Sequence, residues 1–141
     1  MEFCIENIDD IAREILGALS KKDNGATVVA LSGDLGAGKT TLTQSIGRML
    51  GVKENMISPT FVIMKSYVLK NKDWKHLIHI DAYRLKDEKE LKVIGWDEIA
   101  SDGDNLILIE WPEIVKHAIP KNAYNVTLQH VDEKTRRIDH V

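Results

Sequence analysis

The stretch Gly33-Asp34-Leu35-Gly36-Ala37-Gly38-Lys39-Thr40 fits the pattern G-x-x-x-x-G-K-[ST] at every required position. Glycines allow positive φ angles and let backbone N–H groups come close to phosphate oxygens. A lysine at this place balances phosphate charge, and the hydroxyl that follows it is suited to Mg²⁺. The pattern therefore predicts a phosphate-binding loop rather than an ordinary glycine-rich turn.

Each polar group of this loop has an expected contact with a nucleotide. We expect the Lys39 ammonium to lie beside the β and γ phosphates, the Thr40 hydroxyl to bind Mg²⁺, and Thr41 to reach the α-phosphate. The amides and the positive end of the helix that follows complete the cradle. The residues of the loop predicted to bind the nucleotide are Gly33, Gly36, Ala37, Gly38, Lys39, Thr40 and Thr41.

Such a loop also requires an acidic residue at the end of a neighbouring strand, to hold Mg²⁺ directly or through water. Glu110 follows the apolar residues 106–109, and Asp81 follows residues 77–80, which are also largely apolar. Both are candidate catalytic acids, one as the metal ligand and the other as an outer group or base. Either carboxylate could instead form only a structural contact at the end of its strand.

Two further residues stand where a response to nucleotide is expected. Thr60 follows Pro59, between the helix after the loop and the next strand, where a switch segment can sense the γ-phosphate. The same residues also fit an ordinary turn. Trp111 follows a strand-terminal acid and precedes a proline, so its indole is predicted either to stack on a ligand or to pack under a short helix. The five histidines are dispersed and are predicted to be structural or surface residues.

The elements that must position these residues alternate along the chain. Apolar residues recur at helical spacing over 8–20 and 39–50, and the β-branched run 27–31 between them predicts a buried strand. Residues 106–109 predict a second central strand. Two hairpins and three short helices complete the list: 61–69 with 74–80, 123–130 with 136–141, and helices near 87–93, 96–100 and 113–118. These elements predict an α/β fold over residues 1–141, a single P-loop NTPase-like domain with a mixed central β-sheet, flanking helices and β-hairpins.

The composition argues against several other classes of protein. The net charge of −3 does not provide the broad basic field that grips DNA or RNA. No apolar run approaches the roughly 18 residues of a membrane span. The only cysteine, Cys4, cannot form an internal disulfide, and the acidic N-terminal residues do not resemble a secretory signal. We therefore expect a cytoplasmic protein that contacts neither membrane nor DNA.

Several classes of P-loop protein compete for this chain. A GTPase is unsupported because the guanine motif N-K-x-D is absent (Asp73 comes one place early after Asn71-Lys72) and no D-x-x-G occurs. A small P-loop kinase or phosphotransferase acting on a metabolite would need an arginine-bearing lid, and no segment is long enough. A third class is the ATP-driven accessory protein that acts on a partner. A binding module without turnover is the remaining alternative.

Four motifs in this chain together resemble one family. They stand in a fixed order at characteristic separations: the loop through Thr41, Ser58-Pro59-Thr60-Phe61, His79-Ile80-Asp81-Ala82-Tyr83-Arg84-Leu85 and Ile109-Glu110-Trp111-Pro112-Glu113. The set resembles the TsaE family, also called YjeE, of bacterial P-loop ATPases needed for threonylcarbamoyladenosine at position 37 of tRNA. The resemblance runs from about residue 25 to residue 113.

The resemblance implies an activity and partners. It implies ATP and Mg²⁺ as cofactors and an Mg²⁺-dependent ATPase with weak intrinsic activity that binds a complex of TsaB and TsaD. It implies a requirement for threonylcarbamoyl formation on adenosine 37 of tRNAs reading codons that start with adenine. TsaD carries out the transfer, so that tRNA is reached only through the complex.

The resemblance also implies roles for individual residues. It makes Lys39 the phosphate lysine, Thr40 and Glu110 the Mg²⁺ ligands, and Asp81 an essential acid near the γ-phosphate. Thr60 becomes a switch threonine, and Trp111 an aromatic residue at the nucleotide or partner face. Two outlying contacts complete the expected site: Arg137 with phosphate or base, and the segment around Asp9 near adenine.

Overall fold

The computed structural model of the chain describes residues 1–57, 59 and 62–141. Within these residues, one β-sheet is formed by strands β1 (Glu2–Cys4), β2 (Thr27–Ser32), β3 (Met64–Val68), β4 (His76–Asp81), β5 (Asn105–Glu110), β6 (Tyr124–His130) and β7 (Thr135–His140). The helices are α1 (Ile8–Ala18), α2 (Lys39–Met49), α3 (Glu88–Val93) and α4 (Trp96–Ser101), with 3-10 helices at Ile5–Asn7, Ala82–Arg84 and Pro112–Val115.

The sheet is mixed, with the strand order β1-β7-β6-β2-β5-β4-β3. The strand β2 pairs in parallel with both β5 and β6, and β4 pairs in parallel with β5. The pairs β1–β7, β6–β7 and β3–β4 are antiparallel. The carboxyl ends of β2, β4 and β5 therefore meet at one edge of the sheet, which is where open α/β sheets bind ligands.

The central strands are buried on both faces. Val29 and Leu31 of β2 face a core that includes the apolar sides of α1 and α2, whereas Val28 and Ala30 face a second core with residues of α3 and α4. Strands covered on both faces read as continuous apolar runs, as in 27–31 and 106–109. Complete burial of a side chain such as Ile107 contributes about 1.5–3 kcal/mol to the free energy of unfolding.

The predicted mixed sheet with flanking helices is confirmed, with differences at the ends of elements. The brief helix predicted at 113–118 is a 3-10 helix over Pro112–Val115. The strand predicted over 61–69 is observed as β3, which begins at Met64, and residue 61 lies outside the described residues. The strand β1 was not predicted, because its three residues carry too short a pattern and it is held by pairing with β7 at the far end of the chain. Within the described residues, no helix has the length and apolarity that a membrane crossing requires.

Candidate functional site: a phosphate-binding cleft

The glycine loop connects the central strand β2 to the start of α2, and its backbone requires glycine at two places. Gly33 has φ 148°, and a Cβ atom there would lie 2.4 Å from the backbone oxygen of Leu128. Gly38 has φ 105° and is the N-cap residue of α2. Between them, the amide of Ala37 donates to the carbonyl of Asp34 at 3.1 Å. These constraints hold the loop close against β6.

The loop forms one wall of a cleft of about 310 Å³. The cleft is lined by Ile5, Asp34, Leu35, Gly36, Gly38, Lys39, Thr40, Thr41, Asp81, Tyr83, Glu110, Trp111 and Arg136. No side chain among the described residues caps the N-terminus of α2. The first amides of this helix therefore lack the partners that a capping side chain would provide, and an anion fits this position.

Lys39 is nearly buried, with 5% of its surface exposed, and its ammonium lies inside the cleft. The Nζ atom donates to the carbonyl oxygen of Gly33 and lies 3.8 Å from the centroid of the Trp111 ring. Burial lowers the pKa of the Lys39 ammonium below its usual value, and the carboxylate of Glu110 acts in the opposite direction. A carbonyl and an aromatic face are weak partners for a cation, so a phosphate oxygen can replace them.

The two predicted acids lie side by side. Asp81 and Glu110 end the neighbouring strands β4 and β5, are registered opposite each other, and are 4% and 3% exposed. One oxygen of Asp81, Oδ1, accepts a hydrogen bond from the amide of Tyr83 at 3.0 Å. This bond caps the 3-10 helix Ala82–Arg84 and orients the carboxyl group where both acids line the cleft.

Glu110 has a buried partner that sequence analysis did not assign. The Oε2 atom of Glu110 lies 2.6 Å from Nε2 of His79, which is 1% exposed. With Glu110 as a carboxylate, Nε2–H must be the donor, and Nδ1 has no hydrogen-bond partner among the described residues. His79 therefore orients the Glu110 carboxyl group through this hydrogen bond.

Trp111 lines the cleft and also packs on the second core. It adopts a left-handed backbone conformation, with φ 59° and ψ 49°, and its amide donates to the carbonyl of Leu31 at 3.3 Å. Its ring centroid is 5.1 Å from that of Tyr83, at an interplanar angle of 48°. The sequence predicted that this indole either stacks on a ligand or packs under a short helix. In the structure, one face of the ring contacts the Lys39 ammonium, and the rest of the ring packs against the second core.

The contact between Trp111 and the lysine leads to a prediction. Replacing Trp111 with alanine should leave a folded protein whose nucleotide affinity falls about tenfold, because the cleft loses the ring that holds Lys39 and Tyr83. Isothermal titration with ADP measures the affinity, and thermal unfolding checks the fold. Trp111→Phe keeps an aromatic face and should retain most of the affinity. A large drop in melting temperature with unchanged affinity would show that the indole is only a core residue.

The structure brings most of the predicted site residues together. Those that line the cleft are Gly36, Gly38, Lys39, Thr40, Thr41, Asp81, Glu110 and Trp111. Gly33 and Ala37 belong to the loop but do not line the cleft. The Gly33 carbonyl accepts a hydrogen bond from Lys39, and Ala37 is fully buried. Thr60 lies outside the described residues.

Two predicted residues are placed away from the cleft lining. Asp9 accepts hydrogen bonds from Ser45 and, at 2.7 Å, from Arg48, both on α2. These two donors hold the pKa of the Asp9 carboxyl below its usual range. Arg137 forms an ion pair with Glu2 at 3.1 Å. Each of these side chains thus joins two elements of the fold instead of lining the described cleft.

Several residues of the cleft were not predicted from the sequence, and Arg136 is the most informative of them. The sequence predicted a contact for the neighbouring Arg137, but consecutive side chains of a strand point to opposite faces, so only one of the two arginines can face the cleft. The register of β7 against β1 and β6 places Arg136 there. The other missed residues come from loops and the N-terminal segment: Ile5, Asp34, Leu35 and Tyr83.

The oxygen donors of the cleft fit Mg²⁺ that arrives with a polyphosphate. No group of three or more histidine, cysteine, aspartate or glutamate residues able to hold a metal occurs in the described part of the chain. Mg²⁺ is typically bound by one or two carboxylates together with substrate phosphates and water. The Thr40 hydroxyl and the carboxylates of Asp81 and Glu110 provide such a set.

A glycine loop between a central parallel strand and a helix, with carboxylates ending two neighbouring strands, defines a P-loop NTPase-like α/β protein. The family model described as "Threonylcarbamoyl adenosine biosynthesis protein TsaE" matches residues 5–138. The chain belongs to this TsaE family.

Relatives and a solved structure agree with this membership. A protein of Rickettsia felis named "tRNA threonylcarbamoyladenosine biosynthesis protein TsaE" is 38% identical over 133 residues, covering 94% of this chain and 75% of the relative. A protein of the same name from Bacillus subtilis is 36% identical over 111 residues, covering 79% and 66%. The crystal structure of Bacillus subtilis YdiB superposes with a TM-score of 0.72 at 25% identity, covering 98% of this chain and 82% of YdiB.

Proposed function

We propose that this protein is an ATP-binding and ATP-hydrolysing accessory protein for the formation of threonylcarbamoyladenosine at position 37 of tRNAs reading codons that start with adenine. We propose that it acts with TsaB and TsaD, as the family resemblance implies. One observation carries the ATPase proposal: the P-loop amides, the Lys39 ammonium and the two carboxylates Asp81 and Glu110 share one cleft. The family membership supports this reading over a metabolite kinase.

The chain's own groups divide the work on ATP. The amides at the start of α2 bind the phosphates, and Lys39 exchanges the Gly33 carbonyl and the Trp111 ring for β and γ phosphate oxygens. Thr40 and Glu110 would hold Mg²⁺, which when bound would neutralise negative charge that develops on the phosphates. Asp81 lies beside Glu110 in the strand register. We propose that its carboxylate orients a water molecule toward the γ-phosphate. His79 keeps Glu110 in position through its buried hydrogen bond.

The properties of the chain support an indirect contact with tRNA. Its net charge is −3, so a broad attraction for the tRNA backbone is missing. The cleft of about 310 Å³ has the size of a small-ligand site rather than of a site for a folded nucleic acid. As the family resemblance implies, we assign the threonylcarbamoyl transfer itself to TsaD and the nucleotide cycle to this chain.

The experiment that tests this function compares ATP hydrolysis by the purified protein alone and with TsaB and TsaD. We expect slow Mg²⁺-dependent hydrolysis by the protein alone. We expect several-fold stimulation by the partner complex, because an accessory ATPase reaches its full activity only when its partner is bound. The variant Lys39→Ala, mixed with the same partners, measures any hydrolysis that they contribute. ATP consumption that depends on a small metabolite and yields its phosphorylated form would instead establish a kinase.

A further inference from the structure

A second cavity lies outside the nucleotide cleft, between the segment that follows α2 and the hairpin of β3 and β4. Its volume is about 330 Å³. The residues that line it are Leu50, Gly51, Lys53, Glu54, Val68, Lys70 and Lys72. Three of these side chains are cationic and one is anionic, so the cavity has a net positive lining that attracts an anionic partner.

The three lysines of this cavity are exposed and unpaired. None of Lys53, Lys70 and Lys72 forms an ion pair with an acid among the described residues. The hairpin over residues 64–76 carries four lysines and a single aspartate, in a chain whose net charge is −3. Positive charge is therefore concentrated on this part of the molecule, although the chain as a whole is acidic.

The strand β3 next to the cavity has an open edge. It is the last strand of the sheet, and among the described residues it pairs only with β4. The amide of Leu69 donates to the carbonyl of Lys75 at 2.8 Å. Because bonded and non-bonded pairs alternate along an antiparallel ladder, the backbone groups of Ser66 and Val68 point away from β4. These groups are available to another extended chain.

Val68 connects the open edge to the lysines. Its side chain lines the cavity and is 69% exposed, while its backbone belongs to the outer edge of β3. Lysines on an edge strand commonly discourage pairing with another chain, and the exposed Lys65 on β3 suits that role. Protection of the edge does not explain an exposed valine, nor does it explain Lys53, which reaches the same cavity from a different segment.

We propose that the open edge of β3 and the cavity beside it form a docking surface for an acidic, extended segment of a protein partner. The segment adds a strand to β3 through the backbone groups of Ser66 and Val68, and its carboxylates meet the ammonium groups of Lys53, Lys70 and Lys72. This inference rests on the proposed action with a partner complex and adds the surface that holds the partner.

The chemistry of the surface favours a protein over a nucleic acid. The edge of a strand pairs with a peptide backbone, and the exposed valine offers an apolar contact. Nucleic acids without a fixed sequence are usually held by aromatic side chains on which the bases stack, together with a basic groove. No aromatic side chain is among the described residues that line this cavity.

The test measures the association of the full chain with the purified TsaB–TsaD complex by biolayer interferometry, with ATP and Mg²⁺ present. We expect the double substitution Lys70→Glu and Lys72→Glu to weaken association at least about tenfold, because like charges then meet across the interface. The loss should shrink as NaCl is raised from about 0.05 M to about 0.5 M, since salt screens exposed charges. The matched control, Lys116→Glu with Lys121→Glu, reverses two exposed lysines outside the hairpin and should bind like the wild type.

A second pair of variants tests the strand edge independently of charge. Val68→Pro removes an amide that points away from β4, so it should leave the β3–β4 ladder intact and weaken association about fivefold. Val68→Thr keeps the amide and the branched shape, and should bind nearly as tightly as the wild type. Thermal unfolding and ATP hydrolysis without partners should be unchanged in both variants.

Three results would count against the docking surface. Wild-type affinity for the complex in both the charge-reversed and the proline variants would overturn it. Unchanged affinity for the complex together with a loss of tRNA binding in the charge-reversed variant would assign the lysines to nucleic acid, and would overturn it as well. A wild-type protein that does not bind the TsaB–TsaD complex at all would instead refute the proposed partnership on which the surface depends.

Discussion

Replacing Lys39 with alanine is expected to reduce ATP hydrolysis by a factor on the order of 10²–10³ at saturating ATP, the loss typical for one group that stabilises transition-state charge. The physical reason is that Lys39 is the cation that the P-loop itself brings into the cleft. Phosphate release measured under steady-state conditions gives the rate. Wild-type turnover in this variant would contradict the P-loop assignment.

Removal of the Lys39 ammonium should not unfold the protein. Lys39 is 5% exposed, and among the described residues its ammonium contacts carbonyl oxygens and a ring face, so removing the ammonium also removes a desolvated charge. We expect Lys39→Met, which keeps the apolar stem, to have a melting temperature at least equal to that of the wild type. Lys121→Ala, at an exposed position, serves as the control for loss of a lysine. A melting temperature well below the wild type would attribute any lost activity to misfolding.

Replacing Glu110 with glutamine should remove most of the Mg²⁺ dependence of nucleotide binding. Glutamine has nearly the same size and can still accept from His79, so the change removes mainly the charge that faces the cleft. Substituting a residue that only hydrogen-bonds to a metal ligand commonly lowers the metal affinity by about 10- to 100-fold. We therefore expect at least about a tenfold loss of ADP affinity at saturating Mg²⁺ and little change without Mg²⁺. Isothermal titration at several Mg²⁺ concentrations measures both.

Substitutions at two other acids test whether the loss of Mg²⁺-dependent affinity is specific to Glu110. Glu113→Gln alters an exposed acid three residues later and should leave the Mg²⁺ dependence as it is. Asp81→Asn should lower hydrolysis more than it lowers Mg²⁺-dependent binding, because we place this carboxylate beside the water rather than on the metal. If Glu110→Gln retains wild-type affinity with Mg²⁺ present, Glu110 is structural and Asp81 becomes the candidate ligand.

The sequence by itself determined the parts of the site that are formed by residues close together in the chain. The glycine loop, its lysine and its threonines lie within nine consecutive residues, and each acid ends an apolar run that reads as a buried strand. Parallel central strands place such ends at one edge of the sheet, so Asp81 and Glu110 could be expected beside the loop before their register was known.

The tertiary structure alone decided the contacts that join distant parts of the chain. His79 meets Glu110 because β4 and β5 pair in a register that brings a buried imidazole to a carboxylate 31 residues away. Asp9 meets Ser45 and Arg48 because α1 packs on α2, which local periodicity does not specify.

Which of Arg136 and Arg137 faces the cleft depends on the register of their strand. Both arginines are equally visible in the sequence, and a shift by one residue would exchange the face of the sheet to which each points. Pairing of β7 with β1, across almost the whole length of the chain, sets that register and brings Ile5 to the same end of the cleft. Local patterns encode which segments become strands, whereas partners and register follow from the packing of the complete sheet.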